Sequence, residues 1–239
     1  MIRGIFSAAS GMIAQSDRIN VMGNNLDNAD SQGFKSDTAT LRSFDEELAL
    51  RTTDAVPVGT LNAGVHVSGV ETDLSQGELQ QTGSSYNIAV NGGGFFAVAA
   101  PGGQTLYTRE GDFAPDASGY LALPSGQRLL DSTGAPISAA GFRLAANGAY
   151  TNDAGQTGTV PLYTGTAAKR TDGFFDLTGA QGATGSVLLQ GYVEKSNVNT
   201  VTDMTGLMEA SRAFQSCQQA YNTGTDTLDK LVTQVGSLR

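Results

Sequence analysis

Few residues of this chain have types and spacings that could carry chemistry, and each has a conformational reading beside the chemical one. Asn91-Gly92-Gly93-Gly94 follows an apolar run as a phosphate-binding loop would. It leads into Phe95-Phe96-Ala97-Val98 instead of a helix, and no Lys-Ser or Lys-Thr follows, so a tight turn between strands is expected. Asp116-Ala117-Ser118-Gly119, Asp131-Ser132-Thr133-Gly134 and Asp153-Ala154-Gly155 lack the alternating oxygen ligands and closing Glu of a calcium loop, and read as turns. His66, the single histidine, stands between Val65 and Val67, and no Gly-x-Ser-x-Gly elbow offers it a nucleophile. Asp45-Glu46-Glu47 reads as the acidic first turn of a capped helix, and Cys217 has no second cysteine for a disulfide or a metal. The sequence therefore predicts no catalytic, cofactor-binding or metal residues and no enzyme.

Composition narrows the classes further. The chain has 239 residues with Lys+Arg 14 against Asp+Glu 23, a net charge of −9, and no basic stretch longer than Lys169-Arg170, which argues against nucleic-acid binding by phosphate neutralisation. Glycine, at 31 residues, is enriched against a usual share of about 7 %. No apolar run reaches the ~18 residues of a membrane span, and Ser10, Gln15, Ser16 and Asp17 interrupt the amino-terminal apolar pattern. Neither direct membrane insertion nor a cleaved secretory signal is expected.

The elements left to give the chain a function are at its two ends. Ile5, Met12, Ile19 and Leu26 recur at sevens with Ala8, Ala9 and Met22 in the same stripe, predicting an amphipathic helix that ends near Asn28. Leu207, Phe214, Tyr221, Leu228 and Val235 repeat the spacing more strongly, joined by Val201, Met204, Met208, Leu231 and Val232, and predict a helix over roughly 199–236. The alternate heptad position reads Met204, Ser211, Gln218, Thr225, Val232, too polar for a simple two-stranded zipper. Gly206 and Gly224 lower its intrinsic helicity by about 1 kcal/mol each, so packing must supply the rest. A hairpin of the two helices inside one subunit and packing between subunits both satisfy this pattern; the unequal helix lengths favour the second.

Between the ends the period falls to two, as in Asn87-Ile88-Ala89-Val90, Thr105-Leu106-Tyr107-Thr108 and Ser186-Val187-Leu188-Leu189. Gly119, Gly126, Gly134, Gly141, Gly148 and Gly155 punctuate it at sevens and eights, several beside Asp, Asn or Ser. Ser43-Phe44-Asp45-Glu46 has capping-box form and predicts a short helix near 43–51, with a connector over 52–64. The expected class is α+β: long terminal helices packing as a coiled-coil-like layer around a central all-β domain of mostly antiparallel, Gly-rich hairpins. The expected divisions are 1–35 and 196–239 as helical assembly segments, 36–80 as connector and 81–195 as the β domain.

Four ordered blocks carry a resemblance. Ala8-Ala9-Ser10-Gly11-Met12-Ile13-Ala14-Gln15 with Gly23-Asn24-Asn25-Leu26, Asn28 and Gly33-Phe34-Lys35 is similar to the amino-terminal signature of the bacterial flagellar rod and hook protein family. Asn91 to Val98, Tyr107-Thr108-Arg109-Glu110-Gly111-Asp112-Phe113 with Gly119-Tyr120-Leu121, and Glu194-Lys195-Ser196-Asn197-Val198-Asn199 with Met204, Glu209 and Arg212-Ala213-Phe214 agree with it. Length and block order most resemble the proximal- or distal-rod members. Asp27 and Asp30-Ser31-Gln32 depart from the usual pattern and add negative charge near the first helix end, where the dipole disfavours it.

The resemblance implies a structural subunit of the flagellar basal-body rod, exported by the flagellar type III apparatus without a cleaved signal. Its implied partners are copies of itself and other rod and hook subunits, and its terminal helices would form the inner tube of a torque-carrying shaft. The expected interface residues are Ile5, Met12, Ile19, Leu26, Met204, Leu207, Phe214, Tyr221, Leu228 and Val235, with Asn24, Asn25 and Asn28 hydrogen-bonding across the tube. A rival reading is a secreted β-domain binding module that its helices dimerise.

Overall fold

The computed structural model describes residues 2–43, 47–50, 57–61, 64–100, 103–153, 155–183 and 185–236. Its contacts divide the chain into two compact units, one of Met1–Asp27, Asp37–Asp73 and Asn199–Arg239, the other of Asn28–Ser36 and Leu74–Val198.

The first unit holds helices α1 (Ile2–Asp27) and α2 (Thr200–Gly236), with strands β1 (Asp37–Ser43), β2 (Glu47–Leu50), β3 (Pro57–Leu61) and β4 (Val65–Thr72). The 37 residues of α2 span about 55 Å at 1.5 Å per residue. Asn199 caps it by accepting the Thr202 N–H at 3.2 Å, satisfying one of the free donors of the first turn. β1 and β4 pair antiparallel with a register shift between Thr40 and Leu41, and Ser10 Oγ on α1 accepts the Val65 N–H at 3.3 Å.

The helix expected near 43–51 is corrected. Glu47–Leu50 is strand, paired antiparallel with Pro57–Leu61, and Leu41 belongs to β1; residues 44–46 lie outside the described residues. A capping pattern of four residues starts a helix, but a two-turn helix is marginal in water, and pairing satisfies the same backbone groups along both strands. The expected connector likewise contains β3; 51–56 and 62–63 lie outside the described residues.

The second unit is all β among the described residues: β5 (Leu79–Gln81), β6 (Ile88–Asn91), β7 (Phe95–Ala99), β8 (Thr105–Thr108), β9 (Ala114–Pro115), β10 (Leu121–Ala122), β11 (Arg128–Leu129), β12 (Arg143–Leu144), β13 (Ala149–Thr151), β14 (Thr157–Thr159), β15 (Leu162–Lys169), β16 (Phe175–Gly182), β17 (Val187–Gln190) and β18 (Tyr192–Glu194). The largest sheet runs β15-β16-β8-β7-β11-β10-β9, and β15 also pairs with β7, closing β7, β8, β16 and β15 into a ring. Phe96, Val98, Leu121, Leu129 and Ile137 are fully buried at its centre.

One turn recurs through this unit. Asp116 N–H donates to Tyr120 O at 2.8 Å and Gly119 N–H to Asp116 O at 2.9 Å, and the same pair of bonds closes 123–127, 131–135, 145–149, 152–156 and 170–174. Each has glycine at its fourth position with φ between 73° and 93°, the left-handed residue that a three-residue hairpin loop ending in a bulge requires. The Asn91-Gly92-Gly93-Gly94 segment is the turn from β6 to β7, and Asp131 turns its carboxylate to the Thr133 and Ala135 N–H groups of its own loop.

Candidate assembly surface

In the first unit α1 and α2 pack side by side in opposite directions. A Cβ added at Gly206 would stand 2.9 Å from Met22 Cε, one at Gly11 3.0 Å from Cys217 Sγ, and one at Gly224 2.9 Å from Ile5 Cγ1. As α1 is followed backwards from Met22 to Ile5, α2 is followed forwards from Gly206 to Gly224. The two glycines that weaken α2 in isolation are thus where α1 comes closest. Because α1 begins opposite Gly224, the last turns of α2 extend beyond it.

The heptad residues line this contact unevenly. Ile5, Met12, Ile19 and Leu26 on α1 and Leu207, Phe214, Tyr221 and Leu228 on α2 are half-buried. Met204 is 50 % exposed; Val235 lies in α2, with its side chain outside the described residues. A second apolar set points away from the pair: Phe6 is 67 % exposed, Ile13 65 %, Val201 71 % and Met208 52 %. Phe6 and Ile13 are seven apart, and Val201, Met204 and Met208 follow a three-four spacing, so each set forms one stripe. The sequence pattern joins Val201, Met204 and Met208 to the seam and does not single out Phe6 or Ile13; burial against the intrachain partner separates the two stripes.

The three asparagines take different places. Asn25 is buried and clamps the chain after α1, its Nδ2 donating to Asp37 O at 2.8 Å and its Oδ1 accepting the Asp37 N–H at 2.9 Å, while Asp37 Oδ1 accepts Thr72 Oγ1 at 2.6 Å. Asn24 is exposed. Asn28, in the second unit, accepts the Ser31 hydroxyl at 3.1 Å and the Ser31 N–H at 3.2 Å.

A buried ionic cluster in the second unit was not assigned from the sequence. Glu194, 1 % exposed, accepts Lys35 Nζ at 2.5 Å and the Gly77 N–H at 2.9 Å on Oε1, and Arg109 Nη1 at 3.2 Å on Oε2. Its backbone carbonyl takes the Gly33 N–H at 2.7 Å. Lys35 Nζ also reaches Ser75 O at 2.7 Å, Asn197 Nδ2 bonds Ser75 and Asn197 Oδ1 the Ser36 N–H. Burial draws the Arg109 pKa down against the opposing pull of Glu194; its guanidinium lies 5.3 Å from the Phe95 ring centre. Lys35, Ser75 and Asn197 thereby pin together the segments 33–36, 74–77 and 194–198, where the chain enters and leaves this unit. Gly33 has no room for a side chain, a Cβ falling 2.5 Å from the Arg109 backbone. The signal was present in the charges themselves: Lys35, Arg109 and Glu194 stand in motif blocks of a chain only 15 % charged.

No group of three or more His, Cys, Asp or Glu able to hold a metal occurs among the described residues. No helix among them is long and apolar enough to cross a membrane. What the helical unit presents is an antiparallel helix pair with apolar stripes facing away from the α1–α2 contact.

Comparison with known proteins gives the family. Residues 5–35 match the model "Flagella basal body rod protein", 89–155 "Flagellar hook protein FlgE/F/G D1 domain" and 189–234 "Flagellar basal body rod FlgEFG protein C-terminal". The chain is 31 % identical to the flagellar basal-body rod protein FlgG of Buchnera aphidicola subsp. Schizaphis graminum, over 97 % of this chain and 99 % of that one. It is 29 % identical to FlgF of Caulobacter vibrioides over the whole of both chains, and 28 % to FlgG of Bacillus subtilis over 97 % and 98 %. The chain belongs to the flagellar basal-body rod protein family and is a structural rod subunit.

Proposed function

We propose that this chain polymerises through its terminal helices, with copies of itself and with other rod and hook subunits, into the tubular shaft that carries motor torque to the hook and filament. The observation that supports this most is the outward apolar stripe of a helix pair whose inner faces are already occupied. A surface of one kind on α1 and another on α2, joined by rotation and rise, generates an open helical array in which neighbours share torque side by side. In this reading residues 1–35 and 196–239 are the assembly segments and form a coiled-coil-like layer. Asn24 and Asn28 hydrogen-bond between copies. The heptad residues named from the sequence contribute through the helix pair that presents the outer stripes. The role is mechanical and not catalytic, and the site is the basal body, reached by type III export without a cleaved signal; family membership supports both.

Met208→Asp tests the reading, since it places a charge on the exposed stripe and leaves the α1–α2 contact intact. The expected outcome is a folded monomer and a bacterium that does not swim. Normal swimming with this variant as the only copy would contradict helix-mediated assembly.

A further inference from the structure

Phe6 is the only exposed aromatic residue among the described ones, and it lies on the side of α1 that faces away from α2. Arg3, three residues before it, is the only charged side chain among the first sixteen residues. Arg3 is exposed and has no ion-pair partner among the described residues. It stands in the first turn of α1, where the helix dipole disfavours a cation and no acidic residue offsets it. An aromatic ring beside an unpaired arginine is the composition of an interface anchor.

The same unit holds a groove that fits this anchor. The end of α1, the start of α2 and β1 bound a space of about 430 Å³, whereas a closed apolar cavity of about 150 Å³ already holds a benzene ring. Val21, Met22, Ala39, Leu41 and Gly206 are its apolar lining, and its charged lining is Asp37, Asp203 and Glu209 against Arg18. Asp203 and Glu209 have no ion-pair partner among the described residues. Asp17, Asp27 and Glu71 are exposed beside the groove against Arg42 and Arg212, so acid is in excess around it. Asp226, Asp229 and Lys230 come level with Phe6 through the contact of Gly224 with Ile5, but they belong to the opposite helix.

Phe6 cannot enter the groove of its own copy, because Met22 stands sixteen residues further along α1, about 24 Å away. We infer that Phe6 of one copy of this chain inserts into the groove of the next, with Arg3 beside Asp203 and Glu209. This rests on assembly through the helices and names a contact that makes it. The offset of about 24 Å displaces each copy along the helices from the one before, and a heterologous contact with such a displacement continues as an open array, whereas a contact at equal height has no rise. The ring supplies most of the affinity, as buried aromatic anchors do. Exposed charges add little singly; here they orient the neighbour, because a reversed copy loses the attraction.

The test removes the ring, fills the groove and maps the contact in the full-length chain. Phe6→Ala and Ala39→Trp are each expected to lower the amount of chain in purified hook–basal bodies about tenfold or more, the loss of an aromatic anchor. Circular dichroism of each purified variant confirms that its helices form. The photo-reactive p-benzoylphenylalanine at position 6 keeps an aromatic ring there. Irradiated rods are expected to give chain-to-chain products joined from position 6 to residues 18–25, 37–41 or 202–209 of a second copy, and dilute free chain none. Normal incorporation of either variant, no chain-to-chain product, or products joined only outside the groove or to a different protein overturns the contact. Met208→Asp separates the two levels: if it is excluded from the rod while these results fail, only the Phe6 contact is wrong, and if it is incorporated normally, helix-mediated assembly itself is wrong.

Discussion

Glu194 ties Gly33, Lys35, Gly77 and Arg109 together in the second unit. Its carboxylate takes two buried cations and the half-buried Gly77 N–H. Glu194→Gln keeps the shape but leaves Lys35 and Arg109 without their counter-charge, and removing one partner of a buried pair costs about 3–5 kcal/mol. A urea denaturation midpoint lowered accordingly is expected; an unchanged midpoint would show that the cluster is dispensable. Asp131 adds a pH dependence. Burial pushes its carboxyl up, but hydrogen bonds from the Thr133 hydroxyl, the Ala135 and Thr133 N–H groups and Tyr150 outweigh that and hold its pKa below the ordinary value. A depressed carboxylate contributes stability that is present above its unfolded pKa of about 3.9 and is lost as pH falls through the folded value. The melting temperature of the intact chain should therefore decline as pH falls below the unfolded value of about 3.9, and Asp131→Asn should flatten that slope; identical slopes would refute the assignment.

Among the elements, the helices and several strands were legible because their signals are local. Heptad spacing predicted α2 over 199–236, and Thr200–Gly236 is helical. The end of α1 at Asp27 lies one residue from the expected Asn28. Asn87-Ile88-Ala89-Val90 and Thr105-Leu106-Tyr107-Thr108 fall on β6 and β8. Strand β2 was not legible, because its partner is supplied only by the fold and a four-residue capping pattern at Ser43 outweighed it. The outward stripe was half legible: periodicity identifies apolar residues, but only the antiparallel contact decides which of them, Ile5 or Phe6, faces the partner. The cluster of Lys35, Arg109 and Glu194 joins residues up to 159 positions apart, a separation no local pattern encodes. The helix contact makes its own prediction. Gly224→Val places a branched side chain against Ile5, where even a Cβ would be 2.9 Å away. The helices should separate there and α1 should be cut faster by protease in the monomer; an unchanged digestion rate would contradict the close approach.

For the whole molecule, the helical unit is a paired hairpin that still exposes Phe6, Ile13, Val201, Met204 and Met208, and the chain belongs to a family of rod subunits. In the proposed assembly neighbours cover these residues, and a heterologous pair of faces related by rotation and rise gives a helical shaft instead of a closed dimer. The most direct test is quantitative mass spectrometry of purified hook–basal bodies, counting this chain against hook subunits in bacteria that carry either the native sequence or Met208→Asp. The native chain should be present at a few to a few tens of copies and the variant absent, while both fold as monomers. The variant at the native count would mean that the rod is held together by other surfaces and that the outward stripe of the helices is not its assembly face.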